Sequence, residues 1–122
     1  FTRSDLEAKF GERVATAVWC LSKKSAGLVK TYDLYFGEMS QDPIASLVKL
    51  ADRAHNLQTM QGVFNIEKQK KYVGELDTWF FPMIRVARRK FPRQYPAYEN
   101  LKIILRNQHG MLDVLISVQE DK

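Results

Sequence analysis

Residues 47 to 60, LVKLADRAHNLQTM, set an acid and an amide into an otherwise apolar repeat of helical period, and the chain must supply packing partners for that repeat. At roughly 100° of turn per residue, Ile44, Leu47, Val48, Ala51, Ala54 and Leu57 make one broad arc that is expected to be buried. Asp52, His55, Asn56 and Thr59 fall together along its edge, a cluster that a solvated helix face does not require. Spacing alone leaves two readings open. The cluster suits a metal or phosphate site; equally, Asp52 can be half-buried against a lysine or arginine, with His55 a satisfied core histidine.

The rest of the chain carries the same period, broken where helices should stop. Five or six helices and no convincing strand are expected, which makes the fold class all-α. Thr2 and Asp5 resemble a capping box for a short first helix, anchored by Leu6 and Phe10 and stopped at Gly11. A second helix over about Glu12 to Leu21 should bury Val14, Ala17, Val18 and Leu21. Ser22 to Lys30, with Ser25, Gly27 and several lysines, reads as a loop. Thr31 can cap a third helix through about Ser40, and Asp42-Pro43 starts the helix that carries the acidic edge. After a loop from Gln61 to Asn65, a long helix runs from about Ile66 to Lys90, and Pro82 should kink it near Phe80 and Phe81. Phe91 to Pro96 is a break. A last helix from about Ala97 should turn Leu101, Ile104, Leu105, Leu112, Leu115 and Ile116 inward, bending or splitting near Gly110.

At 122 residues and 45% hydrophobic, the chain has material for one modest core and therefore one domain, 1 to 122. The single cysteine, Cys20, excludes an internal disulfide, and its place on an apolar helix suits a small buried residue better than a nucleophile. No apolar run approaches the ~20 residues of a membrane span and no signal-peptide pattern is present, so no membrane partner and a cytoplasmic location are expected. A net charge of +5 favours acidic partners. Lys68, Lys70 and Lys71 open one helix, and Arg85, Arg88, Arg89, Lys90 and Arg93 crowd its far end. Cations in a last helical turn are also what the macrodipole favours, so a solvated face competes with a phosphate-rich ligand. No helix-turn-helix, RNP motif or zinc finger supports nucleic acid as the partner.

LVKLADRAHNLQTM closely resembles the segment that closes the metal site in the hydrolase domain of RelA/SpoT-type alarmone enzymes, HD-superfamily phosphohydrolases that remove the 3′-pyrophosphate of (p)ppGpp. DLEAKFGERVATAVWCLSKK (5 to 24) is similar to the helix pair after that family's His-Asp signature. YDLYFGEMSQDPIASLVKLADRAHN (32 to 56) is similar to its next two helices, and the region of Glu75 and Phe81-Pro82 to the one that follows. The likeness covers about residues 2 to 90 and leaves 95 to 122 poorly specified. It implies an HD-domain-like helical bundle, incomplete at its N-terminus, forming the later part of a hydrolase domain of the stringent response.

The resemblance carries over to the site residue by residue. The family holds one divalent ion, typically manganese, through a His, a His-Asp pair and a later Asp. Only the last of these is matched here, by Asp52 as metal ligand; the others would precede Phe1. Such an ion polarises a phosphoryl oxygen and lowers the pKa of a bound water. The resemblance places Asn56 at the nucleotide and Thr59 within reach of its sugar, and makes Lys70 and Lys71 candidates at the mouth of the site. The Glu-Asp pair that activates water in the family would also precede Phe1, so no catalytic residue is assigned. His55 reads as a supporting residue, Gln58 stands where the family commonly has Arg, and the loop before Lys68 differs by a residue.

The expected function is thus a manganese-dependent 3′-pyrophosphohydrolase acting on (p)ppGpp or a related nucleotide. A binding or regulatory module on the same scaffold without catalysis is one alternative, and a basic helical nucleic-acid-binding domain is another. Residues 1 to 122 alone are expected to bind metal weakly and not to hydrolyse. The arc of Leu47, Val48, Ala51 and Ala54, with Trp79, Phe80 and Phe81, should need a cover, either the family's preceding helices or a second copy in a two-fold homodimer.

Overall fold

Helix starts fall where side chains can satisfy the first free N–H groups. The computed structural model describes residues 3–25 and 28–121. In it α1 (Arg3–Phe10) and α2 (Glu12–Leu21) meet at Gly11, whose φ of 85° is a conformation glycine adopts without a Cβ clash. The Thr2 cap expected for α1 lies outside the described residues. α3 (Tyr32–Met39) opens at Thr31, whose hydroxyl accepts from Leu34 N at 3.3 Å. α4 (Pro43–Thr59) opens at Asp42, whose carboxylate accepts from Ala45 N at 2.8 Å, and α5 (Ile66–Glu75) at Asn65, which accepts from Lys68 N at 2.9 Å.

Two stretches differ from the sequence expectation. Within the expected loop between α2 and α3, β1 (Lys24–Ser25) and β2 (Leu28–Val29) pair antiparallel, with Lys24 opposite Val29. The expected helix from 66 to 90 is three pieces: α5, a π-helical turn over Leu76–Phe80, and α6 (Phe81–Lys90). Pro82 has no N–H to return to the preceding turn, and the backbone widens just before it: Phe81 N–H donates to Leu76 O, five residues back. A 3₁₀ turn, Pro92–Gln94, then leads into α7 (Tyr95–Glu120), which continues past Gly110 without a break. Its 26 residues make it about 39 Å long. No helix is long and apolar enough to cross a membrane among the described residues. The fold is an all-α bundle.

The core gathers where α3, α4, α6 and α7 meet the π turn. Phe36 is its aromatic hub, stacked on Trp79 at 5.5 Å between centroids and meeting Phe80 edge-on at 5.1 Å. Leu50, Leu76, Phe80, Tyr98 and Leu105 are fully buried around it. Tyr98 carries a polar group into this core and satisfies it by a 2.7 Å hydrogen bond with the Ser46 hydroxyl, which also donates toward Asp42 O. Cys20 is buried, as expected.

Several expected core positions lie at the surface instead. α2 buries Ala15, Ala17 and Cys20, small side chains suited to close packing on α3 and α4, and leaves Val14 and Val18 exposed. Phe10 is exposed on α1, and Ile104 and Leu115 on α7, where Tyr98, Leu105, Leu112 and Ile116 take the inner face. Trp79, Phe80 and Phe81 need no outside cover: Phe80 is buried, Trp79 packs on Tyr32 and Phe36, and Phe81 is partly buried beside His109 and Arg106.

Candidate functional site on the polar edge of α4

The inner face of α4 is set by its polar residues. Ala45, Ser46, Leu50, Arg53 and Leu57 are buried, whereas Val48 and Ala51 are exposed and Ile44, Leu47 and Ala54 are only partly covered. Relative to the arc expected from the sequence, the helix is turned by roughly a quarter turn or more. Two contacts hold it there. Arg53 donates to Glu75 Oε1 from both terminal nitrogens at 3.2 Å and to Tyr72 O at 2.9 Å, and Ser46 bonds Tyr98 as described. The Arg53 guanidinium also lies 4.1 Å from the Tyr72 ring centre and 4.5 Å from that of Phe80. Arg53, not Asp52, is therefore the charged residue that enters an ion pair in the interior.

That rotation leaves Asp52 at the surface. Asn56, one turn on, donates from Nδ2 to Asp52 Oδ2 at 3.4 Å, a long contact that leaves the carboxylate mostly open to solvent. His55 is exposed and thus no core histidine, and the Thr59 hydroxyl donates back to His55 O at 3.1 Å. The edge of Asp52, His55, Asn56 and Thr59 thus lies along one side of α4, as the spacing indicates.

Beside this edge is a cavity of about 180 Å³ whose wall includes Lys23, Tyr35, Lys49, Arg53, Lys71 and Tyr72. Its four cations face one lining acid, Glu75, which Arg53 already engages. Burial pushes Lys49 below the usual lysine value, and the Arg53 charge pushes it the same way, against the opposing pull of Asp52. Burial likewise raises Tyr35, with the Asp52 charge adding to it, so Asp52 lies within electrostatic reach of this cavity. Arg53 Nε is buried without a hydrogen-bond partner.

The expected substrate lysines separate. Lys71 lines this cavity, while Lys70 turns to α7 and pairs with Glu120. Lys23, Lys49 and Tyr35 were not singled out from the sequence, because helical spacing cannot show that α3, α4 and the segment after α2 bring them to one place.

No protein-family model, curated protein or solved structure matches this chain. Among the described residues no three His, Cys, Asp or Glu side chains gather to hold a metal ion. Asp52 presents one exposed carboxylate, and the described residues do not complete a metal centre.

Proposed function

We propose that the chain carries one wall of a metal-dependent pyrophosphohydrolase site acting on (p)ppGpp or a related nucleotide, as its likeness to the RelA/SpoT-type hydrolase domain implies. The reading is carried by one juxtaposition: an exposed Asp52–Asn56 pair on α4 beside a cavity lined by four cations. Asp52 would serve as one ligand of a manganese ion whose remaining ligands lie outside the described residues. Asn56 and Thr59 would orient the nucleotide from the same edge. Lys49 and Lys71, each without an ion pair among the described residues, would neutralise the phosphate charge, and the partial burial of Lys49 strengthens its contact.

Assay with Mn²⁺ and (p)ppGpp of a longer polypeptide that also supplies the remaining ligands should show release of pyrophosphate, and Asp52→Asn in it should abolish that release while the far-UV CD spectrum is kept. Lys49→Gln should raise KM more than it lowers kcat. A protein inert toward pyrophosphorylated nucleotides across divalent metals would sink the catalytic reading. One observation favours a second reading, a binding module without catalysis: among the described residues no group of three His, Cys, Asp or Glu side chains forms around Asp52. Saturable nucleotide binding that is lost in Lys49→Gln, with no turnover, would select it.

A further inference from the structure

A second basic cleft lies on the seam between α6 and α7, built without any residue of α4. Arg85 and Arg88 reach it from α6, and Lys102 and Arg106 from α7, over a floor of Phe81 and the buried Ile84. Arg88 is paired with Glu99. Arg85, Lys102 and Arg106 have no ion pair among the described residues. Lys102 and Arg106 stand at i and i+4 on one helix, a like-charge spacing that costs a few tenths of a kcal/mol where nothing offsets it. Arg106 also lies over the Phe81 ring at 5.8 Å, so its guanidinium is held near the cleft.

We propose that this α6–α7 cleft is a phosphate-binding site for a small phosphorylated ligand, separate from the Asp52 edge. A cleft lined by one sign of charge over an apolar floor concentrates its field and so raises the local concentration of anions. Arginines at its rim offer the forked donors that fit phosphate oxygens, with Lys102 as a point charge beside them. The cleft measures about 130 Å³, room enough for a phosphate group. The inference does not rest on the pyrophosphohydrolase reading.

The test is titration of the protein with inorganic pyrophosphate and, separately, with a nucleoside 5′-diphosphate, followed by amide NMR shifts. Saturable shifts are expected around Arg85, Lys102 and Arg106 with both ligands, and equal affinity for the two would show that the phosphate groups alone are read. Arg106→Gln and Lys102→Gln should each weaken binding about tenfold with unchanged CD spectra, and Arg106→Lys should weaken it less, since it keeps the charge but not the fork. Pyrophosphate hydrolysis from nucleotide, if present, should be unchanged in Arg106→Gln. Shifts confined to the Lys23, Lys49 and Lys71 cavity, or no saturation, would overturn the proposal. So would binding seen only with RNA and growing with its length, which would mark the seam as a nucleic-acid surface.

Discussion

Removing the Arg53 side chain leaves the Glu75 carboxylate nearly enclosed and without its partner, since only 8% and 11% of the two side chains remain exposed. Breaking such a pair from one side costs about 3–5 kcal/mol. Arg53→Ala should therefore lower the urea midpoint strongly, and Arg53→Met combined with Glu75→Leu should recover much of the loss. By contrast Asp52→Ala, at the exposed edge, should change the unfolding free energy by no more than about 0.5 kcal/mol. Tyr98→Phe removes one buried hydrogen bond, but Ser46 keeps its bond to Asp42 O, so a loss of about 1 kcal/mol in chemical denaturation is expected. The exposed residues of the ADRAHN edge were legible in the sequence because polarity and helical period coincide there. The inward turn of Arg53 was not, because its partner Glu75 stands 22 residues away and nothing local distinguishes a buried arginine from a solvated one.

At the level of elements, caps and breaks were the readable part: Thr31, Asp42-Pro43, Gly11 and Pro82 all sit at element ends or turns. What the period could not show was how Pro82 would be accommodated. The π turn before it carries Asp77, whose carboxylate meets His109 Nε2 of α7 at 2.8 Å, while Asp113 meets Nδ1 at 3.0 Å. Burial pulls His109 toward its neutral form, but the Asp77 hydrogen bond and the charges of Asp113 and Asp77 together hold its pKa above the ordinary 6.5. A folded-state pKa above the unfolded one means that this stabilisation is complete below about pH 6.5 and is lost as pH rises through the folded value. Thermal unfolding followed across neutral pH should thus show the midpoint falling on the alkaline side. His109→Gln should flatten that part of the profile; an unchanged slope would show that another group carries it.

Across the whole molecule, burial is uneven. Leu76 and Phe80 of the π turn are fully buried, whereas α2, α4 and α7 each keep some large apolar side chains exposed. Val14, Val18, Val48, Met111, Leu115 and Val118 all remain in solvent on those three helices. Leu50→Ala should cost about 2–5 kcal/mol, as for other enclosed leucines, whereas Val48→Thr should be nearly neutral by calorimetry. Hydropathy alone pointed to Val48 and Ala51 as core and so placed the packed side of α4 wrongly; the polar pairs decided it. Those pairs act on α4 as a key acts on a shaft. With Arg53 and Ser46 engaged, the helix is fixed about its own long axis. Released, it could roll by roughly 100°, one residue's worth of turn, and bring Val48 and Ala51 toward the interior at the expense of the polar groups now there. The direction in which Asp52 points is accordingly set one residue away, by an arginine engaged with Glu75 and Tyr72.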